Sequence, residues 1–178
     1  MANPSRRYMK PFGWGEQNVT FNVEADSPAH KFLQNKLGVT TLNPHPSPLS
    51  LNKVKIVPSK LPNKVLTALQ DIVSAENLAV DEETRKQFCG GRSYRDLINM
   101  RSLELKAAPD AVVYPTNKEQ IQQILKLCVE QRVAIVPYGG GTSVVGGLDP
   151  SIGKHKYCIC IDLTKCNRIL SIDKDSHY

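Results

Sequence analysis

A chain of 178 residues that is 40% hydrophobic and 22% charged has a globular composition and the length of one domain with an extension. Its net charge of +6 comes from basic residues scattered among acids, as in Asp81-Glu82-Glu83-Thr84-Arg85-Lys86, without interleaved aromatics. That excludes a nucleic-acid-binding stripe and reads as a solvated face, whose modest positive field suits phosphorylated substrates or an anionic membrane surface.

Three further classes are excluded. No apolar stretch approaches the roughly 18 residues that a transmembrane helix needs. The amino terminus lacks the hydrophobic core of a secretory signal. The five cysteines, an odd number without a Cys-x-x-Cys pair, point to free thiols in a reducing compartment.

In chain order, Phe12 and Trp14 are flanked by glycines and are expected to be buried, anchoring the tail onto the rest of the molecule. Ser27 can cap a helix with Pro28 at its first position and Gly38 just past its end, and Phe32, Leu33 and Leu37 would form its apolar stripe. Asn43 to Pro62 holds Pro44, Pro46, Pro48, Pro58 and Pro62 and reads as an extended connection. Leu61 to Leu78 reads as a helix, because Val65, Leu66, Leu69, Ile72 and Val73 share one face. Pro109 to Pro115 is a short strand ended by proline. Thr116 suits a helix N-cap with Glu119 as its capping-box partner, and Ile121, Ile124, Leu125 and Cys128 follow at helical spacing. A strand at Val133-Ala134-Ile135-Val136 then runs into Pro137-Tyr138-Gly139-Gly140-Gly141-Thr142-Ser143. Lys156 to Leu163 alternates around Cys158, Cys160 and Asp162, and Arg168 to Asp173 reads as another strand.

The glycine loop carries the chemistry. Consecutive glycines let the backbone lie flat against a ligand, and successive N–H groups in such a turn converge on an anion. Thr142 and Ser143 add hydroxyl donors. No lysine follows the glycines before Lys154, which excludes a Walker A loop. Val144 stands where a Rossmann fingerprint counted from Gly139 and Gly141 needs its third glycine. The remaining readings are a pyrophosphate cradle for a dinucleotide or a plain glycine turn. Cys158 and Cys160 share one side of a strand, but His30, His45, His155 and His177 stand at no ligand spacing to them, so buried thiols are expected rather than a metal site.

Residues Pro109 to Asp173 resemble the FAD-binding domain of the vanillyl-alcohol oxidase, or p-cresol methylhydroxylase (PCMH), type. That family has the order P-D-x-V-x-x-P, helix, strand and P-x-G-G-G-T-S. The resemblance implies that Pro137, Tyr138, Gly139, Gly140, Gly141, Thr142 and Ser143 wrap the FAD pyrophosphate. Many members attach the flavin through a histidine beside this loop. None occurs here before His155, which implies non-covalent FAD.

Met9-Lys10-Pro11-Phe12-Gly13-Trp14-Gly15 is similar to the K-x-x-G-W-G opening of the alkyldihydroxyacetonephosphate synthases. Phe32 to Val39 and the run from Gly90-Gly91-Arg92 to Leu97 and Arg101 are similar to further segments of those enzymes, with Arg92 where they usually have histidine. The resemblance implies an FAD-dependent transferase of ether-lipid synthesis. Such an enzyme exchanges the acyl chain of acyl-dihydroxyacetone phosphate for a fatty alcohol without net redox. It further implies a peroxisomal or glycosomal location and a homodimer when intact, while the charge pattern itself allows association with a membrane surface and points to no nucleic-acid partner. The alternatives are an FAD-linked 2-hydroxy-acid dehydrogenase of the D-lactate type and a non-catalytic piece without flavin.

The expected fold class is α+β: a helical amino-terminal extension followed by the first part of a PCMH-type FAD-binding domain. Residues 1–62 would be the extension and Pro-rich connection, 63–104 a helical segment, and 105–178 the incomplete FAD domain. On this reading the chain is an amino-terminal piece, inactive alone, with the catalytic residues beyond Tyr178.

Overall fold

The computed structural model describes residues 9–19, 24–40, 50–151, 153–172 and 174–176. Pro44, Pro46, Pro48, His45, Asp173 and His177 lie outside them.

The fold is α+β and is built on a four-stranded sheet. Its strands are β2 (Leu78–Ala79), β4 (Ala111–Val113), β5 (Val133–Tyr138) and β6 (Tyr157–Asp162), in the order β2-β4-β6-β5. β4, β6 and β5 run parallel, and β2 pairs antiparallel with β4. A separate parallel pair joins β1 (Lys55–Ile56) to β3 (Glu104–Leu105).

One sheet face is covered by α2 (Asn63–Val73) and α5 (Lys118–Gln131). Leu61, Val65, Leu69 and Val73 pack there with Ile124, Cys128, Ala111, Val113, Ile159 and Ile161. Val65, Leu69 and Val73 recur every four residues, so one stripe of α2 meets the sheet, as the spacing indicated. On the opposite face Val112, Val136, Tyr138, Cys158 and Cys160 close over Phe88 and Leu148. The period-2 alternation of β6 sends its cysteines to this side and Ile159 and Ile161 to the other.

α5 begins one residue later than expected. Asn117, not Thr116, is the N-cap, accepting from the Gln120 N–H at 2.9 Å, while Gln120 Oε1 accepts from the Thr116 N–H at 2.8 Å. Both residues are good caps, and here the Gln120 N–H goes to the Asn117 side chain while the Gln120 side chain takes the Thr116 N–H. α1 (Pro28–Leu37) has its expected cap at Ser27 and its left-handed Gly38. Its stripe, however, lies exposed, with Phe32 at 58% and Leu37 at 62%, and His30 is its buried residue.

Arg168 to Ile172 form no strand. Ile169, Leu170 and Ile172 are exposed, since alternation makes a strand only where a neighbour offers its backbone. The charged run at 81–86 folds as α3 (Glu82–Lys86), capped by Asp81. It is not wholly a solvated face. Arg85 is buried, with Nε donating to Pro109 O at 2.6 Å and Nη2 to Val57 O at 2.8 Å.

The buried thiols make stability sensitive to alkali. Burial pushes the Cys158 thiol from 9.0 up to about 12, with Asp110, Cys128 and Asp149 adding to it, and burial alone pushes Cys128 up to about 11. Between those limits the unfolded chain releases protons that the folded chain keeps. Stability is therefore intact below the unfolded value and falls as pH rises above it, by up to about 1.4 kcal/mol per pH unit for each thiol. The urea midpoint is expected to drop between about pH 8 and pH 10, and to drop less steeply in Cys158→Ala. Equal slopes in the two proteins would contradict this.

Candidate functional site

β5 delivers the glycine loop to the end of the sheet. Its register with β6 sets Pro137 against Ile161 and Tyr138 against Asp162. Among the described residues β5 is an edge strand paired with β6, where Pro137 is tolerated. The Tyr138 side chain turns inward and is 3% exposed, its ring 4.6 Å from that of Phe88. It acts as a floor under the loop.

The three glycines are there for different reasons. Gly141 is buried at φ +72°, and a Cβ there would run into the Tyr138 phenol, so the fold itself demands glycine. Gly139 and Gly140 are exposed and have no left-handed backbone. A Cβ on Gly139 would meet nothing within 4 Å, and one on Gly140 would meet only Thr142 Cγ2 at 3.7 Å. Packing among the described residues does not account for these two glycines.

Thr142 is exposed beside them. The Ser143 hydroxyl accepts from the Gly147 N–H at 3.2 Å, which curls the loop, and it still has a proton to donate. The Ser143 carbonyl accepts from the Arg92 N–H at 2.6 Å. A Cβ on Gly91 would run into that carbonyl. The segment Gly90-Gly91-Arg92 therefore lies directly against the loop. It leads into α4 (Tyr94–Arg101), whose cap at Ser93 is a full capping box with Asp96.

Arg92 is 6% exposed. Its Nη1 donates to Gly91 O at 2.7 Å, its carbonyl accepts from Trp14 Nε1 at 2.9 Å, and its buried Nε has no hydrogen-bond partner. Burial lowers the guanidinium pKa, while Tyr138 and Asp96 oppose that shift. A guanidinium stays charged under such conditions. Arg92, Tyr138 and Gly140 line one narrow cleft of about 30 Å³ with Lys86, Cys89 and Met9.

The tail reaches this region by hydrogen bonds rather than by burial. Trp14 is 59% exposed, contrary to the expected buried anchor, and holds on through its indole N–H; Arg101 Nη2 donates to Phe12 O at 2.7 Å. His155 stands at the far end of β5, with Nδ1 3.1 Å from Arg132 O. Among the described residues no group of three His, Cys, Asp or Glu could hold a metal, and no helix is long and apolar enough to cross a membrane.

Sequence reasoning placed the loop but missed its support. The contact between Gly91 and Ser143 joins residues far apart in the chain, and the only local signal was the glycine pair before Arg92.

Residues 109–178 match the family of the FAD binding domain. That match supports FAD as the cofactor. The chain is similar to the alkyldihydroxyacetonephosphate synthase of Trypanosoma brucei brucei, at 28% identity over 92% of this chain and 30% of the relative. The synthase of Dictyostelium discoideum is 29% identical over 71% of this chain and 20% of the relative. The mitochondrial cytochrome D-lactate dehydrogenase of Arabidopsis thaliana is 36% identical over 66% of this chain and 18% of the relative. A solved alkyldihydroxyacetonephosphate synthase shares the fold, with a TM-score of 0.79 at 23% identity over 94% of this chain and 34% of that one. The chain thus spans less than a third of the length of the two synthases matched by sequence.

Proposed function

We propose that this chain provides the pyrophosphate-binding part of an FAD-dependent alkyldihydroxyacetonephosphate synthase. The observation that carries the reading is its extent. Likeness to the Trypanosoma brucei brucei synthase runs over 92% of the chain, through the amino-terminal segment as well as the FAD domain, and to the Dictyostelium discoideum synthase over 71%, whereas likeness to the D-lactate dehydrogenase covers 66%.

The residues present fit the cofactor. Gly139 and Gly140 leave their backbone open to close approach, and Thr142 and Ser143 carry hydroxyl donors. In this reading Pro137 and Tyr138 set the start of the loop, Gly141 turns it, and the flavin is held without a covalent bond. FAD supplies the reactive centre; this chain's residues bind the pyrophosphate and fix its direction relative to the sheet. The substrates are acyl-dihydroxyacetone phosphate and a fatty alcohol, handled at a membrane surface by a peroxisomal homodimer.

The D-lactate dehydrogenase likeness supports a second reading, an oxidoreductase acting on a 2-hydroxy acid. Labelled fatty alcohol and acyl-dihydroxyacetone phosphate separate the two. The full-length protein is expected to form the labelled alkyl product and not to reduce an electron-acceptor dye with D-lactate. Dye reduction without alkyl product would overturn the synthase reading, and a protein that takes up no flavin would overturn both.

A further inference from the structure

The glycine loop has a shortage of charge. Pro137 to Gly147 contains no lysine or arginine, yet a pyrophosphate brings negative charge to it. Backbone N–H groups supply partial charges only. Among the described residues the structure places Arg92 against the loop, its main chain hydrogen-bonded to Ser143, while Lys86, which lines the same cleft, is paired with Glu82 at 2.7 Å.

Three observations support a ligand for this guanidinium. The residue is more than nine-tenths buried. Its Nε is buried without a partner, whereas the buried Arg85 spends Nε and Nη2 on the carbonyls of Pro109 and Val57. A buried donor left unmade is costly and calls for an explanation, of which a bound anion is one. Finally, Arg92 and Gly140 line the same cleft.

We propose that Arg92 is the cationic partner of the FAD pyrophosphate, taking a phosphate oxygen that enters the cleft past Gly140. This rests on the reading of the loop as the FAD site. Arg92 is then a binding residue with two attachments. Its N–H holds the loop through Ser143, and its side chain holds what the loop holds. Its carbonyl, bonded to Trp14, ties the amino-terminal tail to the same point.

The test is a titration of deflavinated full-length protein with FAD and with riboflavin, which lacks both phosphates, at low and high salt. Each protein's melting temperature is measured without ligand. Arg92→Met is expected to weaken FAD binding about 10- to 100-fold, as fits loss of a charge-assisted hydrogen bond, and to leave riboflavin affinity unchanged. Arg92→Lys keeps the charge and loses the fork, so it should fall between the two. The salt dependence of FAD binding should flatten in Arg92→Met. If that variant fails to fold, Arg92→Gln, which keeps a donor for the Gly91 carbonyl, carries the same comparison.

Unchanged FAD affinity in a folded neutral variant overturns the inference and leaves the FAD site standing. Equal losses for FAD and riboflavin alongside a lowered melting temperature also overturn it, since Arg92 would then be purely a support. A wild-type protein that binds no FAD overturns the parent reading itself.

Discussion

Gly140→Val abolishes flavin retention in the full-length protein while leaving the flavin-free fold intact. A Cβ at this position meets only Thr142 Cγ2, at ordinary contact distance, so the flavin-free fold should accept the change. On the proposed reading the valine methyls would occupy the place of the pyrophosphate. The control is Gly141→Ala, which should show the reverse order of effects. Its backbone is left-handed and its Cβ would strike the Tyr138 phenol, so stability falls by about 1–3 kcal/mol before any ligand is added. Measuring flavin stoichiometry and melting temperature on both variants separates a ligand-facing glycine from a fold-facing one. Stoichiometric flavin in Gly140→Val would remove the loop from the cofactor site.

The second large effect belongs to Asp110, a residue with no place in the chemistry. It is buried, and each carboxylate oxygen accepts from a different segment: Oδ1 from the Lys60 N–H at 2.7 Å and Oδ2 from the Cys158 N–H at 2.9 Å. Its own N–H donates to Cys158 O at 2.6 Å. One side chain therefore fixes the connection before α2 and the start of β6 to the start of β4. Asp110→Ala leaves two main-chain donors without acceptors, at a cost of about 2–5 kcal/mol. Asp110→Asn can satisfy one of the two and should lose roughly half as much. Equilibrium urea unfolding reads both. A loss below about 0.5 kcal/mol in the alanine variant would show that other groups or water take over the donors.

What the sequence disclosed, and what it withheld, follows from the range of the forces involved. The apolar stripe of α2 and the run into the glycine loop are local patterns, legible because helical spacing and strand alternation are properties of neighbouring residues. The cap of α5 slipped by one residue because Thr116 and Asn117 are both able to cap and only the position of Gln120 decides. Arg168 to Ile172 alternate like a strand but find no partner strand. Arg85 looked solvated because its partners, Pro109 and Val57, are distant in sequence. The site divides in the same way. The glycines announce themselves, while Arg92 read as a departure from a usual histidine, and its burial against Ser143 is a tertiary fact.

The position of β6 has a temporal consequence. Among the described residues it is the last strand, and it lies between β4 and β5, which do not pair with each other. While the chain emerges from the ribosome, β5 is made before the strand it pairs with here exists. Closing a sheet through a late central strand costs loop entropy before the contacts repay it. The cradle is therefore assembled only after Tyr157–Asp162 has been synthesised and threaded into place. A nascent chain arrested before that strand carries every glycine of the loop and none of the register that aims them.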